Sequence, residues 1–169
     1  MKRLLILRHA KSSWKDQDLE DHDRPLNKRG ERDAPRMGRL LRSEGVLPEL
    51  ALSSTAKRAR ATVKRTLEAA AAACEIRLSP DLYLASPVKV VKLLRGIPER
   101  YVRVMIVGHN PGLEELVQEL TGQPVTLPTA ALAVVDCPCA EWRDLDLTGT
   151  ADLVRFWKPK ELDPEEDGR

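Results

Sequence analysis

The sequence predicts an α/β fold, a three-layer α/β/α sandwich around a mainly parallel sheet of about six strands. Short apolar runs recur along the chain; the first, four branched residues, is too short for a membrane span or a helix and reads as a buried parallel strand. Amphipathic, helix-period segments alternate with them, as in βαβ units. Two of the runs end abruptly in side chains of chemical interest, Arg8-His9 after Leu4–Leu7 and His109 after Val102–Val107. In an open parallel sheet such strand ends face the ligand crevice.

The elements follow in order. Leu4–Leu7 reads as the first strand, and a long polar segment, Lys11 to Arg29, follows it. Segments of this length without regular structure are uncommon inside a compact domain and often functional. It contains Trp14, placed to line the pocket mouth or anchor the loop, and His22, which fits either an exposed or a substrate-steering residue. A helical pattern with Ala34, Met37 and Leu41 on one face stops at Gly45, and Pro35 predicts either a kink or a start near that residue. Leu50–Ser53 reads as the second strand, and any of Ser53, Ser54 and Thr55 could cap the helix expected over 56–73. Ile76–Leu78 is the third strand. Ser86-Pro87 opens a helix that Gly96 closes. After the strand 102–107, Asn110 is expected as cap and Pro111 as first residue of a helix whose buried stripe is Leu113, Leu116, Val117 and Leu120, with Gly122 as its stop. Residues 130–135 and 153–157 complete the strands. The chain is read as one domain over 1–160 and an acidic tail over 161–169 expected to be disordered.

Composition narrows the function classes. The 169 residues carry 28 basic and 26 acidic side chains, so no global field points to nucleic acid or an anionic membrane. Apolar residues at 42% and charged ones at 32% describe a globular chain rather than a disordered one. Met1-Lys2-Arg3 precedes only four apolar residues, which does not make a secretory signal, and no run reaches the roughly 20 apolar residues of a membrane span. A cytoplasmic location is expected. Three cysteines, Cys74, Cys137 and Cys139, argue against a disulfide framework, and Cys137-Pro138-Cys139 alone does not make a metal site. Neither a dinucleotide fingerprint nor a P-loop is present.

Arg8, His9, Arg58 and His109 together describe an anion pocket, because strand–helix turns also aim backbone N–H groups outward. Lys57, Arg58 and Arg60 fall in the first turns of their helix, where the macrodipole disfavours positive charge by a few tenths of a kcal/mol each, about the cost a solvated face tolerates. Arg58 is assigned to the pocket and its two neighbours to solvent. Zinc would need three or four ligands, and guanidinium groups beside it would be repulsive, so no metal is expected.

These segments resemble the histidine phosphatase superfamily, which includes phosphoglycerate mutases and many phosphatases. Arg8-His9-Ala10 is similar to its arginine–histidine–glycine signature, with alanine as in the SixA-type branch. Residues 54–62, STAKRARAT, are similar to the S-x-x-x-R-A-x-x-T segment of the second arginine, residues 107–111, VGHNP, to that of the second histidine, and residues 24–30, RPLNKRG, to the linker into the first helix. The resemblance spans about residues 3 to 120 and implies the phosphoglycerate mutase-like form of the fold. It implies that His9 is the nucleophile, that Arg8, Arg58 and His109 bind the phosphoryl oxygens with Ser12 or Asn110 adding a hydrogen bond, and that no cofactor is needed.

The family's larger members place a general acid near the third strand. Here Asp81 is the nearest carboxylate, and it reads better as a solvated loop residue. A missing acid disfavours alkyl phosphates and matters less for phosphohistidine, whose imidazole leaves readily. The resemblance therefore implies removal of phosphate from a phosphorylated protein such as a histidine phosphotransfer domain, with a phosphate or sulfate anion fitting the pocket and no nucleic-acid or membrane partner. The rival readings are a phosphatase for small phosphate esters and a non-catalytic phosphate-binding module.

Overall fold

The structure, a computed structural model, describes residues 1–162. Its six-stranded sheet has the order β3-β2-β4-β1-β5-β6. The strands are β1 (Lys2–Arg8), β2 (Leu50–Ser54), β3 (Glu75–Ser79), β4 (Arg103–Gly108), β5 (Leu132–Cys137) and β6 (Asp152–Trp157). β3, β2, β4 and β1 pair in parallel, whereas β5 and β6 are antiparallel to their neighbours. The helices are α1 (Lys28–Ser43), α2 (Lys57–Ala69), α3 (Pro87–Arg95) and α4 (Gly112–Thr121). The expected α/β sandwich with a mainly parallel sheet is present.

The apolar run in β1 is continuous because both faces of the strand are covered. Leu4 and Ile6 pack into the core that holds α3 and α4, and Leu5 and Leu7 into the core that holds α1 and α2. All four side chains are fully buried; each contributes about 2 kcal/mol of transfer free energy. The alternation follows from the two-residue strand period. α1 packs closely on α2 because Gly38 carries no Cβ: one built there would lie 2.0 Å from the carbonyl oxygen of Thr66.

Register brings the functional strand ends together. Arg8 of β1 lies beside Gly108 of β4, and Ser53 of β2 beside Val107 of the same strand. His9 and His109 therefore leave adjacent strands at the same level, with the β2–α2 turn on the other side of β4. β4 lies between β1 and β2, where the path of the chain reverses across the sheet, and this is where open α/β sheets place ligands.

Several local expectations are corrected. α1 starts at Lys28, with the Asn27 side chain accepting from the Gly30 N–H, so Pro35 lies inside the helix and not at its start. The carbonyl of Glu31, an exposed residue, loses its helical donor because Pro35 has no N–H. Of the three candidate caps for α2, none occupies the position: Ala56 does, without a side-chain cap. Asn110 does not cap α4 either, since Pro111 is the cap residue and α4 begins at Gly112. β5 starts at Leu132, two residues late, because Ala130 has φ of 62° and its N–H donates to the carbonyl of His9. Ser86 caps α3 as expected, accepting from Lys89 N–H. Residues 159–161 form a 3₁₀ turn, and Arg36 donates to the carbonyl of Leu162. The remainder of the expected acidic tail, 163–169, lies outside the described residues. Among the described residues, no helix is long and apolar enough to cross a membrane.

Candidate active site

Arg8, His9, Arg58 and His109 converge at the carboxyl ends of β1 and β4 and the first turn of α2. The ring centroids of His9 and His109 are 5.1 Å apart. His9 is anchored through its backbone, whose N–H donates to Gly108 O at 3.1 Å. Its ring Nδ1 lies 2.8 Å from the carbonyl oxygen of Ala10. Only a protonated Nδ1 satisfies that oxygen, so in the neutral ring Nε2 carries the lone pair. Arg58 Nε points at this Nε2 from 3.4 Å. Burial, outweighing the bond to Ala10 and reinforced by His109, Arg58 and Arg8, lowers the His9 pKa to about 3.

The neighbouring residues fix the pocket walls. The Ala10 N–H donates to Thr62 Oγ1 at 2.9 Å, and the Thr62 hydroxyl donates to the carbonyl of Arg58 at 2.7 Å. One side chain of α2 thus ties the β1 end to the helix turn that carries Arg58. Arg58 is buried while Lys57 and Arg60 are exposed, which separates the pocket arginine from its solvated neighbours. Ser54 does not cap α2 because its Oγ meets His109 Nε2 at 2.8 Å and accepts the Ala56 N–H at 3.1 Å. Arg58 Nη2 approaches His109 Nδ1 at 3.3 Å. Burial and then Arg58 lower the His109 pKa to about 4. Arg8 is half-buried; its Nη1 donates to Leu127 O, and its buried Nε has no hydrogen-bond partner among the described residues. That orphaned donor is suited to an anion.

The two remaining expected ligands are held elsewhere. Ser12 Oγ accepts from Arg24 Nη2, and Asn110 Nδ2 donates to Leu127 O at 2.8 Å, leaving its buried Oδ1 unpaired. Neither side chain is hydrogen-bonded to the quartet. Asp81 is exposed, with Lys89 as an ion partner 3.9 Å away.

Sequence reasoning missed Asp21 and Tyr83. The long β1–α1 segment folds over the pocket, with a bridge between Ser12 and Leu26 and a 3₁₀ turn at Asp21–Asp23. Arg58 Nη1 donates to the Asp21 carbonyl at 2.6 Å and Nη2 to its carboxylate at 2.9 Å. Arg24 Nη1 and the Tyr83 hydroxyl donate to the same carboxylate. Tyr83 stands edge-on to both His109 and His22, at 5.3 and 5.0 Å. The hydrogen bond from Tyr83, followed by those from the arginines, overcomes partial burial and holds the Asp21 pKa at about 2. His22 meets Thr55 Oγ1 at 2.8 Å, so all three histidines gather here. Trp14 is 68% exposed and stacks on Arg24. The spacing of Asp21 and Tyr83, 62 residues apart, carries no local signal. Only the length of the polar segment pointed to this part of the site.

The model of the histidine phosphatase superfamily (branch 1) matches residues 4–83. An uncharacterized chloroplastic protein of Arabidopsis thaliana is 36% identical over 152 residues, covering 85% of this chain and 70% of its own. An uncharacterized protein of Mycobacterium leprae is 33% identical over 168 residues, covering 91% of this chain and 100% of its own. A solved structure from Agrobacterium tumefaciens, named as a candidate SixA phosphohistidine phosphatase, superposes with a TM-score of 0.80 at 30% identity, over 94% of this chain and 98% of that one. The protein histidine phosphatase SixA complexed with tungstate shares the fold, with a TM-score of 0.80 at 24% identity over 95% and 99% of the two chains.

Proposed function

The chain belongs to the histidine phosphatase superfamily, in its SixA-type branch, and from that premise we propose that it removes phosphate from phosphohistidine on a partner protein through a phosphorylated His9. The observation that carries this reading is the fixed tautomer of His9, with Nδ1–H on the Ala10 carbonyl and the Nε2 lone pair facing Arg58. A neutral imidazole oriented in this way is a nucleophile at neutral pH.

In the first step Nε2 forms a bond to phosphorus as the bond to the leaving nitrogen breaks, and that nitrogen keeps the electron pair. Arg8, Arg58 and His109 take the equatorial oxygens, where their hydrogen bonds strengthen as charge spreads over the transferred group. His109 must present a proton at Nδ1 to do so. The incoming anion raises its pKa and supplies the reason to take one up. In the second step water attacks phospho-His9, the P–N electrons return to Nε2, and phosphate departs. Throughout, Nδ1–H stays on the Ala10 carbonyl.

Among the described residues, Asp21 is the carboxylate hydrogen-bonded to the quartet, and its depressed pKa leaves it no proton to give an alkoxide. An imidazole needs none from a carboxylic acid. Exposed Trp14 in the β1–α1 segment, Leu84 beyond β3 and Val88 in the first turn of α3 suit contact with a macromolecule. Leu84 is held at φ of 50°, a strained left-handed conformation for a side chain directed at solvent beside Tyr83.

The test mixes the chain with a phosphorylated histidine phosphotransfer domain and, separately, with p-nitrophenyl phosphate, for the wild type and His9→Ala. Release from the phosphotransfer domain that disappears in the variant is the expected result. Fast ester hydrolysis with an untouched phosphotransfer domain points instead to small phosphate esters.

A further inference from the structure

Asp21 has more attached to it than a residue that only braces an arginine requires. Its Oδ1 accepts from Arg24, and its Oδ2 accepts from Arg58 and Tyr83. A carboxylate offers about four acceptor directions, so about one remains open. The side chain is 46% exposed, at the mouth rather than the floor of the pocket. Arg58 connects it to the nucleophile: Nε of the guanidinium is 3.4 Å from His9 Nε2, and Nη2 is 2.9 Å from Asp21 Oδ2. One guanidinium thus contacts both the nucleophile and the carboxylate, which sets Asp21 beside the space a substrate ring would occupy. Tyr83, set edge-on to His109 and His22, provides an aromatic wall beside the same space.

We propose that Asp21 is a leaving-group residue, accepting a hydrogen bond from the distal N–H of the substrate's phosphoimidazole and holding that ring as the imidazolium while its P–N bond breaks. The inference rests on the phosphohistidine reading above and names how that substrate is distinguished from an ester. The balance closes without an outside proton. The substrate enters as a phosphoimidazolium, the P–N electron pair goes to its proximal nitrogen, and it leaves as neutral imidazole with its distal proton in place. His9 becomes the new phosphoimidazolium, its Nδ1–H still on the Ala10 carbonyl. Without Asp21 a cationic ring would meet Arg58 and Arg24 with only its own phosphate to offset them. Three donors keep the carboxylate ionised, and an ionised carboxylate suits a cation and not an alkoxide.

The experiment compares wild type with Asp21→Asn on free phosphohistidine and on p-nitrophenyl phosphate, whose phenolate departs unprotonated. Asparagine keeps an acceptor of similar size and loses the charge. The kcat/KM for phosphohistidine is expected to fall about 10- to 100-fold, the worth of one charged hydrogen bond. Loss on the ester is expected to be about tenfold smaller. Asp21→Glu, which restores the charge, should bring the ratio of the two activities back toward wild type. Equal losses on both substrates, or a ratio in Asp21→Glu as disturbed as in Asp21→Asn, would overturn the inference and leave Asp21 a brace for Arg58. A wild type that dephosphorylates the phosphotransfer domain but not free phosphohistidine also overturns it, placing recognition on the partner's surface, while the proposed function stands. A wild type inactive on both phosphohistidine forms defeats the proposed function itself, before any variant is compared.

Discussion

The two pocket histidines owe their protonation to their surroundings. His9 is buried beside three groups that carry or acquire positive charge, so its ring stays neutral well below the usual 6.5, to about 3. His109 follows, to about 4. An NMR titration of the ring protons should show His9 and His109 without a transition between about pH 5 and 8, where an unperturbed imidazole titrates. Midpoints near 6.5 for both would sink the account of a neutral nucleophile. Addition of phosphate should move the His109 resonance toward its protonated position, because a nearby anion favours the imidazolium. Arg58 is equally specific in shape. It spans His9, His109 and Asp21 with separate nitrogens of one planar fork, which an ammonium group cannot copy. Arg58→Lys should lower kcat/KM by about 100-fold on any phosphoryl substrate, the scale of removing an oriented donor from a transition state. A loss under about threefold would remove Arg58 from the oxygen-binding set.

At the scale of elements, packing contacts decide where the site residues lie. Gly30, in the first turn of α1, sits against the segment that leads from β1 to Asp21. A Cβ on it would come within 2.2 Å of the Lys11 carbonyl oxygen. Gly38 makes the corresponding approach to α2. Alanine at either position should destabilise the fold by about 1–3 kcal/mol, as overpacking does, read by urea titration. The two differ in activity. Gly30→Ala displaces the segment bearing Asp21 and Arg24 and should lower turnover of the fraction that remains folded, whereas Gly38→Ala, which separates α1 from α2 away from the strand ends, should cost stability with little change in kcat. Equal effects on kcat would mean that the β1–α1 segment is not positioned by this contact. The same elements show what the sequence made legible. Strand ends were readable because Leu4–Leu7 runs into Arg8-His9 and Val102–Val107 reaches His109 one residue after Gly108. Helix starts were less so. Ser54 has the chemistry of a cap but spends its hydroxyl on His109, and Asn110 has it too but turns its amide to Leu127. In both cases a tertiary bond outweighed a local preference. Pro35 misled because the rest of α1 holds a helix through it, at the loss of one backbone hydrogen bond beside an exposed residue.

Across the whole molecule, gathering these groups has a consequence for stability. The quartet was legible because its members lie at strand ends, while the layer above it was not, because Asp21 and Tyr83 meet only after the sheet has closed. The closed site holds two imidazoles in a form that protons would disrupt. Their native pKa values lie below the unfolded value of 6.5, at about 3 and about 4. Above 6.5 both rings are neutral in either state, and their contribution is fully present. As pH falls below 6.5 the unfolded chain takes up protons that the native chain refuses, so stability declines until the native rings titrate. Each ring adds a slope of up to about 1.4 kcal/mol per pH unit through that window. Asp21 acts in a lower range, its contribution present above 3.8 and lost toward about 2, and its exposure makes it a minor partner. Urea denaturation between pH 7 and 4.5 should therefore show stability falling with pH, and His9→Ala should flatten the curve whatever it does to stability at pH 7. An unchanged slope in that variant would mean that His9 protonates alike in both states, and the lone pair assigned to its Nε2 would lose its physical basis.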